Sequence, residues 1–120
     1  MYQFEKLDIW QDSLKVVRLS YAITKGFPKD EQYSLSNQIQ RAAISISLNI
    51  AEGRGSDSQK DFAKYLNIAL KSLYEVVAAL KISIELGYLT EDDSVYLGLS
   101  KELDSLGARI RSLINKINKE

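Results

Sequence analysis

Apolar residues recur every three or four positions through four stretches of the chain, the period of a helix that buries one face. The first covers residues 8–25. Trp10, Leu14, Val17 and Tyr21 share a face there, Asp8 and Gln11 stand at capping-box spacing, and Gly26-Phe27-Pro28 ends the run. The second covers residues 34–52, with Ser34 as its cap after a loose turn at residues 30–33. The third covers residues 57–86 and stops at Gly87. The fourth begins after Thr90, which stands three before Asp93 in N-cap context. Its stripe of Tyr96, Leu99, Leu103, Leu106, Ile110, Leu113 and Ile117 alternates steps of three and four, the heptad seam of bundles and coiled coils.

Four helices with short connections predict a single all-α domain over residues 1–120, an antiparallel up-down-up-down four-helix bundle. At 1.5 Å per residue the third helix would be about 45 Å long, several turns more than the first, so its end is expected to overhang the bundle. The segment "SISLNIAEGRGSDSQ" at residues 45–59 is its sharpest corner. Gly53 follows the last periodic residues and is expected to close the second helix in the left-handed conformation, with Gly55 completing the turn. Ser56 and Gln59 have the spacing of a capping box that opens the third helix. A P-loop would need a preceding strand and Gly-Lys-Ser/Thr after four residues, and neither is present. Free amides at the start of the third helix, beside Arg54 and Lys60, could still hold a phosphate.

Two helices carry more apolar surface than one bundle face needs. In the second, Leu35, Ile39, Ala42, Ile46 and Ile50 form one face and Ile44, Leu48 and Ala51 another. Polar stripes separate them: Gln38, Arg41, Ser45, Asn49 and Glu52 on one side, Ser36, Gln40 and Ser47 on the other. In the third helix the clear polar strip is only Lys60, Lys64, Asn67, Lys71 and Glu75. Phe62, Tyr65, Leu66, Ile68, Ala69, Leu73, Val76, Val77, Leu80 and Ile84 fill most of the remaining circumference. A small domain has little interior, so the excess predicts a subunit interface and a homo-oligomer.

Composition narrows the chemistry. The 120 residues include no cysteine and no histidine. Disulfides, cysteine-ligated metals and the usual neutral-pH base are excluded, and no metal or cofactor is implied. The start "MYQFEKLDIW" lacks the pattern of a signal peptide, and the apolar run at residues 76–80 is too short to cross a bilayer, so a soluble cytoplasmic protein without membrane contact is expected. Arg41, Asn49, Glu52 and Glu75 are expected to form a structural polar cluster, the two carboxylates partly buried and neutralised by Arg41, with no catalytic residue among them. Sixteen cations balance sixteen carboxylates, so any basic site must be local. Candidates are Lys60, Lys64 and Lys71 on one line of the third helix with Arg54 at its start, and Lys15 and Arg18 on the first. Arg109, Arg111, Lys116 and Lys119 also enrich the C-terminal end, where cations suit the helix dipole.

The stretches "FEKLDIWQDS", "LSNQIQRAAISISLNIAEGRGSDSQKDFAKYLNIALKSLYE" and "LGYLTEDD" resemble the four-helix-bundle family of large-subunit rRNA intervening-sequence proteins. The accessory variability proteins of diversity-generating retroelements share this pattern. The resemblance implies an antiparallel bundle assembled as a homopentamer with a central channel, and no catalysis. The retroelement members are expected to bind nucleic acid and a reverse transcriptase through basic outer surfaces. Arg41, Asn49, Glu52, Gly53, Ser72 and Glu75 match the core motif. The chain departs from the pattern at Ser47, where the family usually has proline, and at Gln40 and Ser56-Asp57, where it is often basic. The expected function is a non-enzymatic oligomer that binds RNA or DNA weakly through repeated basic stripes. The alternative is a scaffold for a separately encoded protein partner such as a reverse transcriptase.

Overall fold

The computed structural model describes residues 1–120 apart from Tyr33. Four α-helices account for most of it: α1 (Asp8–Thr24), α2 (Leu35–Arg54), α3 (Gln59–Glu85) and α4 (Ser94–Lys119). Short 3-10 turns at Gln3–Lys6 and Lys29–Glu31 precede α1 and α2. The second of these overlaps the turn expected at residues 30–33, of which Tyr33 lies outside the described residues. Among the described residues α1 packs on α2 and α4, and α3 packs on α2 and α4, so α1 and α3 stand on one diagonal of a four-helix bundle. Partner numbers fall along one helix as they rise along the next: Gln38 meets Glu75, Ser45 meets Ser72, and Gly53 meets Phe62.

The caps that set these boundaries differ from the spacing-based expectations. No side chain caps α1: Leu7 is its N-cap, and Gln11 donates instead to the Glu5 carbonyl at 3.1 Å. Ser34 stands at the N-cap of α2, but its hydroxyl makes no cap bond. α3 is opened by Ser58, whose Oγ accepts the Asp61 amide at 3.1 Å, not by a Ser56–Gln59 box. α4 is opened by Asp93, not Thr90; its carboxylate accepts the Tyr96 amide at 2.9 Å. In both helices the true cap lies closer to the first core residue, because a cap must reach an amide only two or three residues ahead. Gly87 does what its position promises. With φ at +80° it closes α3, and the Tyr88 amide reaches back to the Ser83 carbonyl at 2.9 Å.

The core runs the length of the bundle through Val16, Ile39, Ile46, Ile50, Leu66, Val76, Leu80, Leu99, Leu103, Leu106 and Ile110. The heptad seam of α4 is buried as predicted except near its end, where Ile114 replaces Leu113 in the interior. A straight helix of 3.6 residues per turn drifts off a 3.5-residue repeat, which moves the buried line by one residue. On α1 the inward face is one residue away from the expected stripe. Ile9, Ser13, Val16, Ser20, Ile23 and Thr24 are buried, Trp10, Leu14 and Val17 are half-buried, and Tyr21 is 40% exposed. Hydropathy discounts serine, yet three small hydroxyl residues let α1 lie close to its neighbours.

One monomer also hides more apolar surface than the pattern suggested. Of the ten α3 residues expected to overflow the bundle, only Ile68 is exposed, at 39%. On α2 the second apolar face is real only at Leu48, 56% exposed, while Ile44 and Ala51 are half-buried. Ser36 and Ser47, read as dividers, are buried, Ser47 against Ser13 of α1. At 27 residues α3 is matched by the 26 of α4, so it overhangs only α1 and α2. The short polar residues at the seams draw the helices together and leave less girth uncovered.

Candidate nucleic-acid interface

The corner between α2 and α3 is a packing device. Gly53 lies inside α2, buried, and does not adopt the left-handed conformation expected of it. A Cβ placed there would stand 2.8 Å from Tyr65 Cβ, 3.0 Å from Phe62 Cδ1 and 3.3 Å from the Phe62 carbonyl oxygen. Glycine is required because the start of α3 lies directly on it. The helix ends just beyond, at Gly55, with φ −84°, and the Ser56 hydroxyl donates to the Gly53 carbonyl. A notch of ≈ 210 Å³ remains, lined by Arg54, Ser56, Asp57 and Gln59 among others. Asp57 sets a negative charge beside Arg54, and the Asp61 amide is already taken by Ser58. The corner is therefore a poor anion cradle.

The α3 line is exposed along its length. Lys60, Lys64 and Lys71 project from one side of the helix, with Arg54 exposed at the preceding helix end. None of the four is within ion-pair distance of a carboxylate among the described residues, where the only such pairs are Asp12 with Lys15 at 3.3 Å and with Arg109 at 2.7 Å. Burial alone would push the Asp12 carboxyl up, but hydrogen bonds from Arg109 and then Lys15 outweigh it and hold the group below its usual range. Lys15 is thus partly neutralised. It and Arg18 sit on α1, across the bundle diagonal from α3, so the structure does not join the two candidate groups into one surface.

The expected buried cluster does not form. Arg41, Glu52 and Glu75 are all exposed, and Arg41 bridges neither carboxylate. Glu75 accepts from Gln38 Nε2 at 3.0 Å, while Asn49 donates to the Ser45 carbonyl at 2.9 Å. Ser45 in turn pairs with Ser72 at 2.8 Å. Gln38, Ser45, Ser72 and Glu75 rim an open groove of ≈ 610 Å³ between α2 and α3 that also takes in Ser34, Asn37 and Arg41. Water reaches Arg41 and Glu52 directly, so solvent, not ion pairing, satisfies their charges. The sequence placed Ser45 in a polar stripe and Ser72 in the family motif, but only the docked helices show that they pair.

Among the described residues no group of three His, Cys, Asp or Glu is placed to hold a metal ion, and no helix is long and apolar enough to cross a membrane. No curated protein matches the chain. A crystal structure from Bacteroides thetaiotaomicron, described as a protein of unknown function from the S23 ribosomal protein family, is similar at a TM-score of 0.75 and 28% identity. The similarity covers 88% of this chain and 97% of that one. The sequence pattern of the 23S rRNA-intervening sequence proteins matches residues 5–114, a span that includes all four helices except the last turn of α4. On that match the chain belongs to the 23S rRNA-intervening sequence protein family.

Proposed function

We propose that the protein is a non-enzymatic, cytoplasmic homo-oligomer that binds RNA or DNA through repeated basic stripes. The observation that carries this reading is the exposed, unbridged line Arg54, Lys60, Lys64 and Lys71. In a balanced chain, cations left without carboxylate partners are free to meet phosphates. The falling partner numbers between neighbouring helices support an antiparallel up-down-up-down course. Leu48, Ile68 and Ile82, each exposed, support a subunit interface on the outer side of α2 and α3, and the family resemblance favours five subunits. A ring would then present the weak stripe several times and gain by avidity.

The test is a fluorescence titration with structured RNA and with duplex DNA across a salt series. Binding should weaken steeply as salt rises, by counterion release. Changing Lys60, Lys64 and Lys71 together to glutamate should abolish it. An absence of binding at low salt rejects the reading. Leu48→Glu with Ile68→Glu should lower the sedimenting mass to that of one chain. A monomeric wild type at high micromolar concentration rejects the oligomer. The exposed apolar residues also fit a second reading, a scaffold for a separately encoded protein. A partner retained from the native host after nuclease treatment, and lost in the Leu48→Glu variant, would favour it.

A further inference from the structure

Charge is sorted along α4. Between Ser105 and Lys119 the chain carries Arg109, Arg111, Lys116 and Lys119 and no carboxylate. Between Glu91 and Asp104 it carries five carboxylates and the single cation Lys101. Zero net charge therefore conceals a basic end and an acidic end. Arg109 turns to α1 and is bridged by Asp12 at 2.7 Å. The other three cations, with Ala108, Ser112 and Asn115, line an open groove of ≈ 570 Å³ on the outer side of α4.

This row begins where α4 packs on α3. Gly107 packs against Leu70 and Leu73, and the Arg111 guanidinium lies over the Tyr74 ring, 5.7 Å from its centroid. Tyr74 stands three residues from Lys71, so the stacked arginine links the two rows. A cation–π contact also orders a side chain that would otherwise be mobile. The helix dipole accounts for Lys116 and Lys119, but its effect fades within the last turn and does not reach Arg111. A membrane-docking face would expose large apolar side chains between its cations, and the groove offers only Ala108.

We infer that the C-terminal third of α4 is the second row of a two-row site for a phosphodiester backbone, with Arg111, Lys116 and Lys119 facing phosphates alongside Lys60, Lys64 and Lys71. The inference rests on the nucleic-acid reading above and gives it a place: the α3–α4 side of the bundle, and not the α1 pair Lys15 and Arg18. Contacts of this kind tolerate sequence and fall with salt.

The experiment compares wild type, the triple variant Arg111→Gln, Lys116→Gln, Lys119→Gln, and the pair Lys15→Gln, Arg18→Gln in titrations with a short labelled DNA duplex. The triple variant should bind about 10-fold or more weakly at low salt, and its log–log salt slope should shrink by about 0.9 for each phosphate it no longer neutralises. The α1 pair should bind as wild type. Circular dichroism and sedimentation establish that the variants keep fold and assembly. Should the triple variant misfold, Lys116→Gln alone, an exposed change in the last turn, must still reduce the slope by about 1. Wild-type binding that the α4 changes leave intact overturns this inference and leaves the α3 stripe standing. A wild type that binds no duplex and no structured RNA overturns both.

Discussion

The two edges of α2 use small residues to opposite ends. Toward α1 the seam is made by hydroxyls: Ser47 and Ser13 meet at 2.8 Å, Gln40 Nε2 donates to Thr24 Oγ1 at 3.0 Å, and Ser36 and Ser20 are buried nearby. Toward α3 the corner has no side chain on the α2 side at all, because Gly53 lies against Phe62 and Tyr65. The first edge is directional: each hydroxyl needs its partner. The second shares that device at Ser45–Ser72 and Gln38–Glu75, but at its Gly53 end it is steric: it needs an absence. A directional seam can be replaced in pairs with small loss, whereas a steric one cannot accept a single added carbon.

That contrast fixes the expected order of mutational effects. Gly53→Ala should be the largest, a loss of about 2 kcal/mol, because the nearest atom, Tyr65 Cβ, and the Phe62 carbonyl oxygen are fixed to the α3 backbone and cannot swing aside. Thermal unfolding of the variant checks this, and an unchanged midpoint would mean that α3 does not rest on Gly53. Next come Ser13→Ala and Ser47→Ala, each costing about 1 kcal/mol, with the double variant losing clearly less than their sum. Ser13 already donates to the Trp10 carbonyl at 2.6 Å, so Ser47 supplies the shared hydrogen. A strictly additive double-mutant cycle would show that the two hydroxyls do not cooperate. Ser20 Oγ is buried and finds no partner among the described residues. Ser20→Ala should therefore leave stability unchanged or raise it by about 1 kcal/mol in a denaturant titration. Gly55→Ala should be smallest, within about 0.5 kcal/mol, since its backbone is ordinary right-handed helix and a Cβ there meets nothing closer than 3.6 Å.

Much of this was legible before folding. The four helical stretches lie within a few residues of their observed bounds, since an apolar period of three to four survives any packing arrangement. The α4 stripe was legible because leucine and isoleucine announce burial. The α1 face was not, because Ser13, Ser20 and Thr24 announce nothing until another helix covers them. The same blindness made α2 look two-faced. The basic residues were all visible in the sequence, but as separate groups. That the α1 pair stands across the diagonal from the α3 line depends on which helices are neighbours, and Arg41 with Glu52 and Glu75 shows that matching charges within a motif need not meet.

Sequence alone settled where the chain is helical, where α3 must stop at Gly87, and which chemistry is barred by the lack of histidine and cysteine. Those properties are local or compositional, and they hold for any arrangement of the four rods. Tertiary structure alone decided that Gly53 is a point of close approach and not a hinge, that serines are interior, and that Arg111 of α4 lies over Tyr74 of α3. These depend on distances between segments far apart in the chain, which periodicity along one helix cannot encode.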